Sequence, residues 1–198
     1  MANFQRLTPV EPRGTAAPHF VSRAETVAAA RHYLGKGPLA INPPRGIPIS
    51  LRSFYCGGLI LAVAEDLRLI DVDGRPFKRS DANDATYQSG AALGDSIRKR
   101  LVFRLAQRES YDLTRDFTRL CLLLEPGDVV NVRIPTPIGF SSHLGILSEI
   151  HGEPSLIHLY PDDDGVYGSA QGLQVVERRF DARWLSRIAE VFSFPGVN

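Results

Sequence analysis

Cys56 is the residue of this sequence with the clearest potential for nucleophilic chemistry. It follows a loop directly and lies in the first turn of a predicted helix over residues 56–68. The free N–H groups at a helix start carry partial positive charge, which lowers a thiol pKa and favours the nucleophilic thiolate. Gly57 and Gly58 follow, and without side chains they would let a substrate backbone come close. A small buried core residue is an equally good interpretation of this cysteine.

Two histidines could serve such a thiol. His143 comes after the loop 135–142 and opens a predicted strand, so it could reach a neighbouring element as proton acceptor and donor. His158 lies in the next predicted strand. If a two-residue turn at 152–153 joins these strands, both histidines lie on one face of the sheet, and His158 could fix the tautomer of His143. The alternatives are a half-exposed strand histidine and a core histidine with a satisfied hydrogen bond.

Other kinds of chemistry have weaker signals. Cys121 lies in the apolar run CLLL, which favours a structural role. Cys56, His143 and His158 lack the close-pair spacing of zinc ligands, so we expect no metal and no cofactor. The sequence contains no phosphate-binding loop, dinucleotide fingerprint or serine-hydrolase elbow. The acidic run 162–164 lacks calcium-loop spacing and is typical of a solvated turn.

Size and charge restrict the possible partners. The chain has 198 residues and 43% hydrophobic content, enough for one domain with a core. Lys+Arg is 23 and Asp+Glu is 22, and the net charge of +1 gives no reason to expect a nucleic-acid partner. The longest strongly apolar stretch, Leu59–Ala64, is far shorter than the roughly 20 residues of a membrane span. We therefore expect neither a membrane anchor nor a signal peptide.

Proline spacing and helical periodicity organise the first half of the chain. Residues 1–21 contain three prolines and little periodicity, which predicts an extended N-terminal arm before a domain over 22–198. Ser22 is placed to cap a helix over 22–34, with Glu25 completing a capping box. The apolar segment 56–68 predicts a buried central helix. A third helix is predicted over 92–107.

The second half of the chain changes to strand periodicity. A turn at Pro126-Gly127 precedes alternating apolar residues over 130–134. Further strands are predicted over 144–150, 156–160, 175–179 and 191–194. A short helix starting at Asp181 would carry Trp184 and Ile188. Helices followed by antiparallel strands indicate an α+β fold.

Several segments together resemble the NlpC-type papain-like cysteine peptidase family, in particular its phage and gene-transfer-particle cell-wall branch. These segments are AAARHYLGKGP, CGGLILAVAEDLRL, LEPGDVVNVRI, SSHLGIL, LIHLY and VVERRFDARWLSRIAEVFSFPG, within residues 22–196. The resemblance implies a nucleophile helix packed on a five- to six-stranded antiparallel sheet. It implies Cys56 as nucleophile, His143 as base and His158 as its orienting partner.

The same resemblance implies a substrate and a setting. The substrate would be the stem peptide of peptidoglycan, cleaved between D-glutamate and a diamino acid. The setting would be a phage tail tip, reached from the cytoplasm at assembly, with tail-tip or hub proteins bound through the N-terminal arm.

The chain departs from the family on either side of the nucleophile. The family usually has Asp before and Ser after it, where this chain has Tyr55 and Gly57. We assign these two positions and Ser142 to substrate binding. The alternative to an enzyme is a structural tail-tip protein that keeps the peptidase fold with little or no catalytic activity, and the two departures favour it.

Overall fold

An antiparallel sheet with helices on one side forms the described part of the chain. The computed structural model describes residues 20–37, 54–83, 90–106, 123–136, 139–161, 173–179, 184 and 186–198. Its helices are α1 (Arg23–Arg31), α2 (Phe54–Asp66) and α3 (Gly90–Lys99), with a 3-10 helix at Arg79–Asn83. Its strands are β1 (Val102–Ala106), β2 (Val129–Thr136), β3 (Gly139–Ile150), β4 (Glu153–Pro161), β5 (Leu173–Arg179) and β6 (Ile188–Ser193).

The six strands form one sheet in the order β1-β6-β2-β3-β4-β5, and every neighbouring pair is antiparallel. The predicted α+β class and its antiparallel sheet are therefore confirmed. Within the described residues, no helix is both long enough and apolar enough to cross a membrane.

The first helix has the predicted cap, and the second, which begins at Phe54 rather than at the predicted residue 56, is buried as predicted. The Ser22 hydroxyl accepts a hydrogen bond from the Glu25 N–H, and the Glu25 carboxylate accepts one from the Ser22 N–H, which completes the predicted capping box. The run Leu59–Ala64 of α2 is fully buried, with the sheet and both other helices packed around it. An all-round apolar helix is buried on every side, as expected.

The third predicted helix is too long, because a strand begins where its last turn was expected. α3 ends at Lys99, and β1 then pairs with β6 as an edge strand. The side chain of Phe103 packs on Phe192 across that pair, with ring centroids 5.8 Å apart. The spacing of Leu93, Ile97 and Leu101 fits a helical stripe, but Leu101 fills the core from the connection that follows α3.

The predicted helix carrying Ile188 is also wrong at that residue. Ile188 opens β6 and pairs with Val132 beyond an irregularity of register next to Asn131. Because it pairs with β2, β6 begins at Ile188, before the start at residue 191 that the apolar alternation predicted.

The turn between β3 and β4 is displaced by one residue from the prediction. His151 and Gly152 form it, both with positive φ (54° and 80°), and Ile150 pairs with Glu153. Positive φ at both central residues matches the twist of hairpin strands. Moving the turn by one residue shifts the strand pairing by two, so the side chains keep their predicted faces.

The two faces of the sheet cover different cores. The helix-side core contains α2 together with Leu144, Ile146 and Ile157. The far-side core lies on the opposite face and consists of Leu124, Val130, Val132, Leu147, Leu156, Ile188 and Val191, with Trp184 packed against it.

The two ends of the described chain meet. Val21 is buried and forms a parallel bridge with Val197, and its backbone exchanges hydrogen bonds with Gly196 and Asn198. Val21, the last residue of the predicted arm, therefore belongs to the domain. The rest of the arm up to residue 19, the loop 38–53, Cys121 and the acidic run 162–164 lie outside the described residues.

Candidate active site

Cys56 is the third residue of α2, and its sulfur contacts strand β3. The side chain is 8% exposed. Backbone N–H groups of Leu144 and Gly57 donate to the sulfur, which favours the thiolate. Burial outweighs them and raises the pKa of the Cys56 thiol, so the expectation of a lowered pKa is wrong. The partial positive charge at a helix start lowers a thiol pKa only when it stabilises the thiolate by more than burial destabilises it.

His143 and His158 form a hydrogen-bonded pair on neighbouring strands. His143 Nε2 lies 2.8 Å from His158 Nδ1, and the two rings meet edge to face with centroids 5.1 Å apart. His143 pairs with Val132, and His158 alternates with Leu156, so both rings lie on the far-side face. The sequence predicted this shared face.

The surroundings of both rings favour their neutral forms. Burial lowers the pKa of His143 to about 4. Burial also lowers the pKa of His158 well below its usual range, and the positive charge of Arg178 and that of His143 when it is protonated add to that effect. At neutral pH the pair therefore carries no charge, and a single proton lies between the two facing nitrogens.

The strands that carry this pair separate at the site. β3 pairs with β4 over Ile146–Ile150, but pairs with β2 all the way to Gly139. Beyond Ile157, β4 continues against β5. A Cβ on Gly145 would lie 2.8 Å from Leu156 Cδ1 and 3.1 Å from the Cβ of His158, so the absent side chain is what lets the second histidine sit beside β3.

Two contacts relate the three predicted catalytic residues to β3. The ring of His143 bonds to the ring of His158. The Cys56 sulfur contacts the backbone of Leu144, the next residue along β3. The thiol reaches the backbone of Leu144 from the helix-side core, and the rings of the histidine pair lie on the far-side face of the sheet.

Ser142 belongs to a polar chain that the sequence did not reveal. Its hydroxyl donates to Asn131 Oδ1 at 2.6 Å, and the Asn131 amide donates to Glu190 at 2.7 Å. Arg98 of α3 forms an ion pair with the same carboxylate. Asn131 and Glu190 resemble ordinary alternating strand residues, and only the register of β2 and β6 shows that they meet.

Gly57 faces α3. A Cβ at this position would lie 2.8 Å from Ile97 Cδ1 and 3.3 Å from Leu93 Cδ2. The missing side chain therefore allows close packing of two helices, and the assignment of Gly57 to substrate binding stays a prediction. For Tyr55 the structure describes the backbone only, within α2.

A pair of glycine replacements tests this packing role. Gly57→Ala is expected to destabilise the protein by about 1–2 kcal/mol relative to Gly94→Ala, because overpacking at Ile97 offsets the gain in helix propensity. Gly94 of α3 has open space around its Cβ position, so alanine there should stabilise by about 0.5–1 kcal/mol. Urea unfolding curves measure both variants. Equal stabilisation by the two would show that position 57 has room.

The described residues contain no group of three or more His, Cys, Asp or Glu arranged to hold a metal ion.

Comparison with known proteins yields one distant structural likeness. No protein-family model and no curated protein sequence matches the chain. Among solved structures, the chain is similar to an N-acetylmuramoyl-L-alanine amidase from Bacteroides uniformis ATCC 8492. The match has 11% sequence identity and a TM-score of 0.34, and covers 86% of this chain and 96% of the other. At those values the likeness assigns neither a family nor an activity.

Proposed function

We propose that this chain is a cysteine endopeptidase with an NlpC-type papain-like fold that cleaves the stem peptide of peptidoglycan. One observation carries the proposal: His143, which is hydrogen-bonded to His158, lies on the strand whose backbone contacts the thiol at the start of α2. A nucleophile, a base and a group that orients the base make up a catalytic triad. The family resemblance of the surrounding segments supplies the substrate class.

In the proposed mechanism the site starts uncharged. Burial favours the neutral thiol of Cys56 and the neutral ring of His143. As the sulfur attacks the scissile carbonyl carbon, its proton passes to Nδ1 of His143, since Nε2 is held by His158. Attraction between the developing thiolate and imidazolium stabilises a charge separation that neither group supports alone.

The remaining steps return the protein to its starting state. The imidazolium of His143 gives its proton to the leaving amine, the carbon–nitrogen bond breaks, and a thioester remains on Cys56. His143 then takes a proton from water, whose oxygen attacks the thioester and releases the acid. Backbone N–H groups of Leu144 and Gly57, which point at the sulfur, are placed to stabilise negative charge formed beside it.

The setting we propose is a phage tail tip or gene-transfer particle, where local digestion of the wall assists DNA entry. The segments shared with that branch of the family support it. The proline-containing arm suits docking on a tail-tip or hub protein. On this proposal the chain is located in the virion, and in the cytoplasm before assembly.

A structural tail-tip protein with little activity is the second candidate. Cys56 is 8% exposed, and burial raises the pKa of its thiol, which are properties of an inert core cysteine. The departures from the family at Tyr55 and Gly57 point the same way.

Thiol labelling separates these two candidates. Iodoacetamide should alkylate Cys56 of the native chain roughly 10²-fold faster than in His143→Gln, because the neutral imidazole removes the thiol proton during attack. Because the pKa of His143 is lowered to about 4, its base form persists as pH falls, and the acid limb of labelling should lie near pH 4 rather than 6.5. Peptide mass spectrometry distinguishes Cys56 from Cys121.

The matched control for that experiment is His32→Gln, at the exposed end of α1, which should leave labelling unchanged. Slow labelling of Cys56 that His143→Gln does not alter would favour the structural protein.

A further inference from the structure

Trp184 packs against the ring of His158, the residue that orients the proposed base. The indole and imidazole centroids are 5.3 Å apart, with ring planes at 78°. His143 meets the same imidazole with centroids 5.1 Å apart. His158 therefore contacts two rings and is 1% exposed, whereas Trp184 is half-buried at the margin of the far-side core.

The backbone fixes Trp184 to the strand beside the site. The Trp184 carbonyl accepts a hydrogen bond from the Arg187 N–H at 2.9 Å, and the Arg187 carbonyl accepts one from the Arg133 N–H at 2.8 Å. Arg133 follows Val132, which pairs with His143 across β2 and β3. The indole and the base are thus positioned from the same part of β2.

The proposed chemistry requires one particular arrangement of protons in the histidine pair. For Nδ1 of His143 to accept the thiol proton, the neutral ring must carry its own proton on Nε2. That proton is donated across the 2.8 Å contact, so Nδ1 of His158 must be bare and its proton must lie on Nε2. A half-turn of the His158 ring would put a carbon in place of the accepting nitrogen, and protonation would remove the lone pair.

We propose that Trp184 is a positioning residue that holds His158 in the orientation and neutral tautomer required to accept from His143. This inference rests on the proposed function. The indole packs edge to face on the His158 ring and thereby restricts its rotation. The charged or titratable groups that act on His158 include His143 of β3 and Arg178 of β5, and positive charge on either disfavours the protonated ring. Trp184 covers part of the ring and contributes to the burial that keeps His158 neutral.

Two replacements in the full-length chain test the proposal. Trp184→Phe keeps an aromatic ring and should retain the wild-type state, whereas Trp184→Leu keeps only apolar volume. Long-range ¹H–¹⁵N spectra should show a proton on Nε2 of His143 and a bare Nδ1 on His158 in the wild type and in Trp184→Phe. In Trp184→Leu they should show mixed tautomers. The rate of Cys56 alkylation by iodoacetamide should fall about tenfold in Trp184→Leu, which is part of the 10²–10⁴-fold rate factor of a positioned base. The acid limb of the labelling profile should also move to higher pH.

Val191→Ala is the matched control, because it loosens the same far-side core from β6. It should lower the unfolding midpoint and leave the tautomers and the acid limb unchanged. Wild-type tautomers and an unmoved acid limb in Trp184→Leu would overturn the positioning role, as would equal changes in Val191→Ala. A failure of the proposed function is distinguished by a different result. In that case His143→Gln would not slow the labelling of Cys56, whatever the spectra of the Trp184 variants show.

Discussion

Replacing Cys56 with alanine is expected to reduce peptidoglycan hydrolysis to background, by a factor on the order of 10⁴ or more. The proposed thioester needs the sulfur, and within the described residues no other cysteine is present to supply it. Purified sacculi provide the substrate, and released stem-peptide fragments are quantified by mass spectrometry. The identity of the new amino terminus also reveals which bond is cleaved.

Two controls make this result specific. Cys121→Ala, made in the other cysteine of the chain, should keep wild-type activity. Cys56→Ala should unfold at nearly the wild-type denaturant concentration, with a loss of about 1 kcal/mol, because it removes one small buried group. Clearing of a peptidoglycan zymogram by folded Cys56→Ala would exclude the thiol mechanism.

Replacing Asp128 with alanine is expected to have the largest effect on stability, about 3 kcal/mol. The Asp128 carboxylate is fully buried and accepts hydrogen bonds from Arg23 at 2.7 Å, Arg104 at 2.6 Å and the Glu125 N–H at 3.0 Å. It joins the first turn of α1, strand β1 and the turn before β2. Removing it leaves two guanidinium groups facing each other without their buried partner.

Glu125 is the matched control for Asp128. Its carboxylate forms ion pairs with the same two arginines, each at 2.8 Å, but its side chain is 48% exposed. Water screens an exposed pair, so Glu125→Ala should cost less than about 1 kcal/mol. Guanidinium unfolding followed by circular dichroism measures both variants. Similar losses for the two would show that burial does not distinguish these carboxylates.

The elements with strong local signals could be predicted from the sequence. The capping box of Ser22 and Glu25, the buried α2 and the alternation in β2 each depend on neighbours within a few residues. The shared face of His143 and His158 was also predicted, although the turn is displaced by one residue. The prediction holds because the pairing of the two strands shifts by two residues, and a shift of two keeps each side chain on the same face of the sheet.

Features that depend on distant partners could not be read in the same way. β1 is a strand because the edge of β6 is available to it, and its own residues fit a helical stripe equally well. The close approach of α3 at Gly57, where a Cβ would meet Ile97, is not indicated by the residues next to Gly57 in the sequence. The pKa of Cys56 is raised because burial outweighs the helix start, and burial depends on how α2 sits against β3.

The contact between the Cys56 sulfur and the backbone of Leu144 has a consequence for how this protein could vary. Cys56 belongs to the helix-side core, the ring of His143 lies on the far-side face, and Leu144 follows His143 directly on β3. Repacking of either core is expected to change stability more than it changes where the two groups lie along β3. Sequence drift in the two interiors can therefore proceed with little effect on the site while the main chain from His143 to Leu144 keeps its position.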